Sequence, residues 1–455
     1  MHSQLYSLIF ITVFAAFVFA IPTPSSSNIQ KRSFKVHRRR NPNFKGYDGP
    51  TQLMKAYQKF GMTVPEGLHL SVGGHRHRKG KNNGNGRGGG AAGNGTAAVG
   101  SGTAAGNTTA TANGTAQAAA PQTSGVGTVT ATPVEPNDLE YIAPVTIGGQ
   151  TIDMNFDTGS SDLWVFNTQL SAQSGQGHTL YDPTKSPDFK LLQGATFDIS
   201  YGDGSGAAGN VGTDTVDIGG ATVTGQAIEM ATDVSDSFIQ DTNSNGLVGL
   251  AFSKINTVKP QKQKTFFDNA MATLAEPVFT ADLRQDAVGA YEFGKIDAAR
   301  FTGDLTWAPI DSSNGFWEFT STKFSVGDGK ELNAIGGTAI ADTGTTLMLV
   351  NAAVVNAYYS QVAGARNNEQ VGGITFPCDS VLPDLNVDVG GTYTAKIEGK
   401  FINFAQVNEN TCFGGVQPTT GNLQIYGDIF FKSQFVVFNG GNNTLGLAPH
   451  AAGAA

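Results

Sequence analysis

The chain has 455 residues, which exceeds one ordinary domain and leaves room for a leader and two core-forming units. Only 15% of the residues are charged and 59 are glycine, a composition that favours short strands and turns and argues against long helices. Residues 21–120 contain 14 Lys and Arg against two acidic residues, whereas residues 121–455 contain 15 Lys and Arg against 35 Asp and Glu. A basic stretch can bind nucleic acid, but one directly before an acidic body is more simply explained by intramolecular pairing.

The first twenty residues have the pattern of a secretory signal peptide. Residues 5–20 are nearly all apolar, and Val18-Phe19-Ala20 places a small residue at a plausible cleavage point. A transmembrane anchor is the alternative, but the apolar stretch is short for a membrane span. No later segment is long and apolar enough to cross a bilayer, and the C-terminal residues show no hydrophobic tail that would direct a lipid anchor. We therefore expect a secreted protein, and a vacuolar location stays open as the alternative.

Residues 21–72 are predicted to be a propeptide that contains one helix, because apolar residues recur with helical spacing between Leu53 and Phe60. Residues 73–124 are mainly Gly, Asn, Ala and Thr, and such a segment buries too little apolar surface to fold. We assign this low-complexity linker to the propeptide as well. The candidate glycosylation asparagines, each in an Asn-x-Ser/Thr sequence, are Asn94, Asn107, Asn113 and Asn442.

The body from about residue 135 onward is predicted to be all-β, because strand-like runs alternate with Gly-Gly, Asp-Gly and Asn-Gly turns. Helical patterns are confined to residues 264–274 and 350–363. The clearest strand-like runs are 141–149, 151–156, 211–218, 319–326, 393–397 and 435–438.

The two cysteines of the chain, Cys378 and Cys412, favour one disulfide in an oxidising compartment. This bond would close a loop of about 35 residues and would stabilise the fold by roughly 4 kcal/mol if it acts through chain entropy. Two free buried thiols are the alternative, and the predicted secretion argues against them.

Two segments of the body repeat each other at an offset of 185 residues. Residues 156–165 read FDTGSSDLWV, and residues 341–350 read ADTGTTLMLV. Each copy is followed by two apolar residues and a glycine, which lies 92 residues after Asp157 in the first copy and 85 residues after Asp342 in the second. A single Asp-Thr-Gly is also a good turn sequence, but two copies with matching partners predict two related lobes that face each other.

The residue types of the repeat suit a site where two carboxylates meet. The glycine of each copy lets the chain turn sharply, and the Ser or Thr after it can donate a hydrogen bond to the outer oxygen of the aspartate. The hydroxyl of each Asp-Thr threonine can tie one loop to the other. If Asp157 and Asp342 meet, repulsion between like charges makes them share one proton at acidic pH. One carboxylate can then act as a base on a bridging water while the other protonates a carbonyl oxygen. The supporting residues are Thr158, Gly159, Ser160, Thr343, Gly344 and Thr345.

The scarcity of histidine and cysteine argues against other hydrolytic mechanisms. The body contains only His178 and His450, which are too few for a zinc site of several histidines, and we expect neither a metal nor a cofactor. A Ser-His-Asp triad would depend on His178 alone, and no Gly-x-Ser-x-Gly sequence is present. Residues 204–209 formally match a dinucleotide fingerprint, but an alternating strand follows them instead of a helix.

The body resembles the pepsin-like aspartic endopeptidase family, in particular the secreted fungal acid proteases of the penicillopepsin and aspergillopepsin type. The resemblance covers about residues 135–450 and rests on both Asp-Thr-Gly segments, on Tyr-Gly-Asp-Gly-Ser at 201–205, on Trp164 and on the cysteine pair. It implies an all-β, bilobal pepsin-like acid protease fold with a central cleft and few short helices. We place the N-terminal lobe at residues 125–310 and the C-terminal lobe at residues 311–455.

The resemblance also implies a mobile flap and a set of substrate-binding residues. A flap carboxylate at Asp203, beside Ser205, is similar to fungal members that accept Lys as well as large apolar residues before the cut. A carboxylate there can pair with a substrate ammonium group; a plain hairpin turn at Asp203-Gly204 is the alternative interpretation. The implied flap and substrate-binding residues are Tyr201, Gly202, Asp203, Ser205, Trp164, Phe238 and Leu247.

The charge asymmetry predicts that the basic propeptide inhibits the acidic body within the same chain. Ionised carboxylates would attract the propeptide near neutral pH, and protonation at acidic pH would weaken that attraction before cleavage near residues 118–126.

We expect a monomer that acts on proteins and peptides and that binds neither nucleic acid nor a membrane. The alternatives are a catalytically inactive binding or inhibitor protein of the same shape and a vacuolar processing protease. The presence of both aspartates and the flap tyrosine argues against the inactive protein.

Overall fold

The structure is a computed structural model, and the residues it describes are 34–37 (backbone only), 49–65, 68, 140–201, 205–242, 244–333 and 337–452. The predicted signal peptide and the linker at residues 73–124 lie outside this part of the chain, together with its three glycosylation candidates. The flap residues Gly202 and Asp203 lie outside it as well. Among the described helices, none is long and apolar enough to cross a membrane.

Short strands dominate the described part of the chain, and the longest helix has 11 residues. The strands are β1 (Phe34–His37), β2 (Ile142–Ile147), β3 (Gln150–Asp157), β4 (Leu163–Val165), β5 (Lys190–Ser200), β6 (Gly206–Ile218), β7 (Ala221–Val234), β8 (Gly246–Gly249), β9 (Val278–Asp282), β10 (Ala290–Phe293), β11 (Thr306–Pro309), β12 (Glu318–Thr320), β13 (Lys323–Val326), β14 (Leu332–Asn333), β15 (Thr338–Ala341), β16 (Met348–Val350), β17 (Arg366–Asn368), β18 (Gly373–Pro377), β19 (Leu385–Val389), β20 (Tyr393–Ile397), β21 (Asn403–Asn408), β22 (Thr411–Gly414), β23 (Val416–Pro418), β24 (Leu423–Tyr426), β25 (Gln434–Asn439) and β26 (Thr444–Pro449). The helices are α1 (Gly49–Lys59), α2 (Asp236–Gln240), α3 (Phe266–Ala270), α4 (Ala352–Tyr359), α5 (Gly399–Ile402) and α6 (Asp428–Phe431). The predicted all-β fold is confirmed, and the helical patterns correspond to α1, α3 and α4.

The hairpin of β2 and β3 shows how the sequence pattern produces the first sheet. Ile152, Met154 and Phe156 alternate with less buried residues along β3, and all three are buried in the core. Gly148 and Gly149 form the turn with φ of 53° and 79°, a left-handed conformation that glycine adopts without steric cost. The hairpin belongs to a seven-stranded sheet with the order β2-β3-β8-β4-β7-β6-β5, in which β2 also pairs antiparallel with β6.

The sequence repeat is also a structural repeat. In the first copy β3 pairs in parallel with β8, which then pairs antiparallel with β4. In the second copy β15 pairs in parallel with β24, which then pairs antiparallel with β16, within the five-stranded sheet β12-β15-β24-β16-β23. The partner glycines Gly249 and Gly427 face neighbouring backbone so closely that a β-carbon would overlap it. Each apolar-apolar-Gly segment therefore lies between the two strands that flank its Asp-Thr-Gly loop.

A six-stranded sheet takes strands from both halves of the body in the order β1-β10-β9-β25-β26-β11. The rings of Phe279 on β9 and Phe438 on β25 stack with centroids 4.5 Å apart, so its core is built from residues far apart in sequence. Its outer strand β1 comes from the predicted propeptide and pairs antiparallel with β10. Residues 34–37 of the predicted propeptide are thus part of a sheet of the body.

Helix α1 is the second element of the predicted propeptide, and it packs against the body. Its apolar stripe, which includes Leu53 and Tyr57, is buried. The helix ends at Lys59, and Gly61 then reverses the chain with a φ of 61°. The N–H groups of Gly61 and Met62 donate to the carbonyl oxygens of Gln58 and Tyr57 at 2.9 and 2.7 Å. These bonds satisfy carbonyl groups in the last turn of α1, and they hold this turn, which contains Lys59, in place.

The predicted disulfide is present. Cys378, which directly follows β18, is bonded to Cys412 on β22, and the bond spans 34 positions of the sequence. Among the described residues there is no free cysteine.

Candidate active site

The two repeated aspartates lie at the ends of equivalent strands and meet at the centre of the body. Asp157 is the last residue of β3, and Asp342 directly follows β15. Their side chains are 1% and 0% exposed, and each carboxyl group shifts the pKa of the other. A methyl group on Gly159 would overlap the carboxylate of Asp342, and one on Gly344 would overlap that of Asp157. Glycine is therefore required in both loops for the carboxylates to approach.

The two loops are joined by reciprocal hydrogen bonds between their threonines. The N–H of Thr158 donates to Oγ1 of Thr343 at 3.2 Å, and the N–H of Thr343 donates to Oγ1 of Thr158 at 2.9 Å. Each hydroxyl also donates into the opposite strand, to the carbonyl oxygens of Ala341 at 2.8 Å and Phe156 at 2.7 Å. These four buried bonds hold the two loops in one position relative to each other.

Each carboxylate also has its own hydroxyl and backbone donors, which matches the bonding predicted from the repeat. Ser160 Oγ donates to Oδ2 of Asp157 at 2.6 Å, and Thr345 Oγ1 donates to Oδ2 of Asp342. The backbone N–H two residues after each aspartate donates to its Oδ1, at 2.8 Å in the first loop and 3.0 Å in the second. Because the outer oxygens are occupied, the orientation of both carboxylates is fixed.

Lys59, the last residue of α1, places its ammonium group on both aspartates. Its Nζ lies 2.8 Å from Oδ1 of Asp157 and 3.0 Å from each carboxylate oxygen of Asp342. The lysine side chain is only 11% exposed. About two turns earlier in the helix, Gln52 accepts a hydrogen bond from the hydroxyl of Thr346 at 2.9 Å. The helix therefore covers the aspartates and neutralises part of their charge.

The environment separates the titration of the two aspartates. Burial alone would raise the pKa of Asp157, but the Lys59 ammonium and the hydrogen bonds from Asp342, Lys59 and Ser160 hold it below its ordinary value. Burial raises the pKa of Asp342 to about 6, with a further contribution from the neighbouring Asp157 carboxylate, although Lys59 opposes the shift. Burial lowers the pKa of the Lys59 ammonium, but the two carboxylates outweigh this effect and raise it. The pair therefore holds one proton through the acidic range, while Lys59 stays charged.

Four of the predicted substrate-binding residues form one wall beside Asp157. Trp164, Tyr201, Phe238 and Leu247 line a cavity of about 110 Å³ together with Asp157. The ring centroid of Phe238 lies 4.9 Å from that of Trp164 and 5.6 Å from that of Tyr201. Trp164 Nε1 donates to the Tyr201 hydroxyl at 3.0 Å, which holds the described end of the flap against this wall. Ser205, on the other side of the flap, lines the same cavity.

A second buried acidic group lies behind this wall. Glu229 on β7 and Asp162 are each 1% exposed, and the side-chain amide of Asn256 contacts both carboxyl groups. Asn256 Nδ2 donates to Oε1 of Glu229 at 3.0 Å and lies 3.3 Å from Oδ1 of Asp162. Burial, followed by the charge of Asp162, raises the pKa of Glu229 well above its ordinary value. Glu229 is therefore protonated in acid and connects the loop after Asp157 to the central strands.

The two body histidines lie away from the aspartates. His178 stacks on Phe166 with ring centroids 3.8 Å apart, and its Nε2 lies 3.2 Å from the carbonyl oxygen of Ile239. His450 lies beside Asp282 in the six-stranded sheet, with Nδ1 3.0 Å from that carboxylate. Within the described ranges, no group of three or more His, Cys, Asp or Glu side chains could hold a metal ion.

Lys59 is the residue of this site that the sequence did not single out. The basic character of the predicted propeptide indicated a general attraction to the body, but no catalytic motif contained Lys59 or any of the 13 other Lys and Arg residues at positions 21–120. The available signal was its place at the end of an amphipathic helix, four residues after Lys55.

Comparisons with known proteins agree with this geometry. A sequence model of the family described as eukaryotic aspartyl protease matches residues 140–450. A putative aspergillopepsin A-like aspartic endopeptidase of Aspergillus fumigatus is 48% identical over 98% of this chain and 99% of its own length. Endothiapepsin of Cryphonectria parasitica is 43% identical over 94% of this chain and 93% of its own length. Penicillopepsin-1 of Penicillium janthinellum is 49% identical over 72% of this chain and 99% of its own length. With two aspartates from repeated loops at its centre and relatives of this identity and coverage, the chain belongs to the eukaryotic aspartyl protease family and is a pepsin-like aspartic endopeptidase.

Proposed function

We propose that this chain is the precursor of a secreted endopeptidase that hydrolyses proteins and peptides at acidic pH, with Asp157 and Asp342 as its catalytic residues. The observation that carries the proposal is the contact of two buried carboxylates, from symmetric loops, with the single ammonium group of Lys59. The ammonium marks a position within hydrogen-bonding distance of both carboxylates. A water molecule can lie at this position once Lys59 has left.

In the proposed mechanism the two carboxyl groups hold one proton between them at acidic pH. The ionised carboxylate takes a proton from the water, whose oxygen attacks the carbonyl carbon of the peptide bond, and the protonated carboxyl gives its proton to the carbonyl oxygen. The carboxyl that took the proton of the water then gives it to the amide nitrogen, and the carbon–nitrogen bond breaks. A hydroxyl proton of the tetrahedral intermediate returns to the other carboxylate, which releases a carboxylic acid and an amine and restores the pair with one proton. Ser160 and Thr345 hold the outer oxygens of the pair, so the inner oxygens face the water. Activity is expected to fall as the pH rises and the shared proton is lost.

We further propose that residues 21–124 inhibit the acidic body until they are removed. Lys59 occupies the position that the catalytic water needs, and α1 lies along the cavity beside Asp157. The alignment with the relative from P. janthinellum spans 99% of that protein but only 72% of this chain, which supports a body that works without the preceding residues. The proposed organisation is a signal peptide at 1–20, a propeptide at 21–72, a linker at 73–124, lobes at 125–310 and 311–455, and cleavage near 118–126.

The wall of the cavity supports a preference for large apolar residues at the cut. Trp164, Phe238 and Leu247 offer apolar surface next to Asp157, which suits an aromatic or long aliphatic side chain. Acceptance of Lys at the cut depends in this proposal on Asp203 of the flap.

Secretion is proposed from the apolar leader, and glycosylation at Asn442 fits its exposed position. We propose that the mature enzyme is a monomer.

The proposal is tested by hydrolysis of denatured haemoglobin at about pH 3–4, where one carboxyl of the pair is protonated. We expect hydrolysis that a statine-type inhibitor blocks. Replacement of either aspartate, Asp157→Asn or Asp342→Asn, should reduce kcat on the order of 10²- to 10⁴-fold or more, because each removes one proton-transfer group. The exposed Asp311→Asn is the matched control and should retain full activity. A folded protein that binds the inhibitor but hydrolyses nothing would instead be a catalytically inactive binding protein.

A further inference from the structure

A cluster of four lysines lies in the segment 253–265, between β8 and α3. The segment contains no acidic residue, yet it holds four of the 15 Lys and Arg residues of a body that has 35 Asp and Glu. All four side chains are exposed, and within the described ranges none of them forms a salt bridge. The lysine cluster consists of Lys254, Lys259, Lys262 and Lys264.

The surroundings leave most of the charge of the lysine cluster available to a ligand. The ammonium groups of Lys254 and Lys262 donate to carbonyl oxygens, those of Ser313 and Lys254. Two carboxyl groups interact with the cluster through space. The positive charge of Lys262 acts to lower the pKa of the buried Asp162, and that of Lys254 acts to lower the pKa of Asp311. The cluster is therefore a positively charged patch on an otherwise acidic body.

The backbone of the segment is held in place by the neighbouring sheet. Lys259 and Thr196 of β5 exchange two backbone hydrogen bonds, at 2.8 and 3.0 Å. The carbonyl oxygen of Lys264 accepts a hydrogen bond from Gln226 Nε2 at 3.0 Å. Because these backbone positions are fixed before a ligand arrives, binding costs less conformational entropy than it would on a free loop.

The lysine cluster borders an open groove of about 510 Å³. Lys262 and Lys264 lie on one wall, and residues of β5, β6 and β7 form the other wall. No aromatic ring lines the groove, so it offers no stacking surface for a nucleic acid base. Amide and hydroxyl side chains both donate and accept hydrogen bonds, which matches the N–H and C=O groups of a peptide chain. The groove has such groups at Thr213, Gln261, Gln263 and Asn269.

The acidic working range favours one kind of anionic ligand. Carboxyl groups have ordinary pKa values near 4, so a segment rich in Asp and Glu has lost much of its charge at about pH 3–4. A phosphate monoester loses its second proton near pH 6 and keeps one negative charge well below that pH. Lysine side chains in general stay charged throughout this range. Acid also protonates carboxylates of the body, which would repel an anion near neutral pH.

We propose that the lysine cluster and its groove form an exosite, a second binding site of the enzyme, for a segment of the protein substrate that carries phosphoserine or phosphothreonine. The inference rests on the proposed endopeptidase function and names phosphoproteins as a substrate class for it. Lysine ammonium groups bind the phosphate groups as point charges, and the amides of the groove bind the peptide chain. The exosite acts on substrate affinity and takes no part in bond cleavage.

The exosite lies close enough to the catalytic pair for one substrate chain to reach both. The backbone N–H of Thr257 donates to Oδ1 of Asp162 at 2.9 Å. Asp162 lies five residues after Asp157, and Lys259 lies two residues after Thr257. The path from Asp157 to Lys259 is therefore at most about 30 Å long, which about ten extended residues can span.

The kinetic test uses the processed enzyme at about pH 4 and quenched peptides that share one cleavable sequence. A spacer of about ten Gly and Ser residues joins this sequence to a tail of phosphoserine, serine or glutamate residues, placed before the cut in one series and after it in the other. In one series we expect KM for the phosphoserine tail to be on the order of 10-fold lower than for the serine tail. kcat should stay the same, because the tail is bound equally in the ground state and the transition state. Added salt should reduce the difference.

A triple variant tests whether the lysine cluster causes this difference. The ratio of the two KM values should approach one when three lysines of the cluster are replaced, in Lys259→Gln, Lys262→Gln, Lys264→Gln. The matched control makes the same change in net charge at three lysines outside the cluster, which are 52%, 62% and 62% exposed: Lys323→Gln, Lys396→Gln, Lys400→Gln. The control should keep the wild-type ratio. An equal loss in both triple variants would mean a general charge effect and would overturn the inference.

The wild-type enzyme alone also decides the question, even if the triple variant does not fold. Equal KM values for the phosphoserine and serine tails overturn the inference, and so does a glutamate tail that is as effective as phosphoserine.

A binding measurement separates the exosite from the endopeptidase function. Fluorescence anisotropy of a labelled phosphoserine tail without the cleavable sequence should show binding to the full-length chain at about pH 5.5, where phosphate keeps its charge. If the tail binds and no peptide is cut, the endopeptidase function fails and the phosphate site is confirmed. If peptides are cut and the tail does not bind, the exosite alone is wrong.

Discussion

Replacement of Lys59 by Gln in the full-length chain tests whether this lysine blocks access to Asp157 and Asp342. The ammonium makes contacts of 2.8, 3.0 and 3.0 Å with three carboxylate oxygens and is almost fully buried. Loss of one partner of a buried ion pair costs about 3–5 kcal/mol. The glutamine amide can still donate hydrogen bonds, and the aspartates can share a proton, so we expect the lower part of that range. A difference of 1.4 kcal/mol corresponds to a tenfold change in an equilibrium constant. The equilibrium between the closed state, in which α1 covers the aspartates, and the open state, in which it does not, should therefore shift toward the open state on the order of 10²-fold.

The assay is the binding of a statine-type inhibitor to intact precursor at about pH 5.5, with mass spectrometry to show that no cleavage has occurred. This pH lies above the ordinary carboxyl pKa of 3.8, and Lys59 holds the pKa of Asp157 below that value. The contribution of Asp157 to closure is therefore present at pH 5.5 and is lost as the pH falls through its lowered pKa. The pKa of Lys59 is raised above 10.5, so Lys59 itself stays charged throughout.

Under these conditions Lys59→Gln precursor should bind the inhibitor on the order of 10²-fold more tightly than the wild type. The control is Lys185→Gln, since the Lys185 side chain is 69% exposed and pairs only with Asp182 at the surface. Equal inhibitor affinity for the wild-type and Lys59→Gln precursors would refute the assignment of Lys59 as the residue that closes the site. Mature enzyme produced from both precursors should have the same kcat/KM, because neither retains residue 59.

Two further predictions concern single groups around the aspartates. Ser160→Ala removes a 2.6 Å hydrogen bond that lowers the pKa of Asp157. The acid limb of the pH–rate profile should therefore move to higher pH, and kcat/KM should fall about tenfold. An unshifted acid limb would contradict this role of Ser160. Glu229 has a pKa raised well above its ordinary value of 4.5, so its ionisation should reduce the free energy of unfolding as the pH rises from 4.5 toward the folded-state pKa. In denaturant unfolding of the mature protein, Glu229→Gln should remove much of that loss, on the order of a few kcal/mol at neutral pH, whereas the exposed Glu409→Gln should not.

The sequence alone predicted the symmetric part of this protein. The repeat of Asp-Thr-Gly with its apolar-apolar-Gly partner specified two equivalent strand arrangements, because such short apolar runs with glycine at the end form buried strands with close backbone contacts. Local chemistry also predicted the hydroxyl donors of Ser160 and Thr345, since each follows its aspartate at a distance that a tight turn bridges. The disulfide followed from the cysteine count.

The tertiary structure decided which groups meet across long stretches of sequence. Lys59 reaches Asp157 across 98 positions and Asp342 across 283, and no local pattern records such distances. The contact exists because the apolar stripe of α1 packs against the body and the helix ends at Lys59, so its last turn lies at the aspartates. Propensity and periodicity predicted the helix. Its place on the body, and hence the choice of one lysine among many, depends on the shape of a surface that only the folded chain presents.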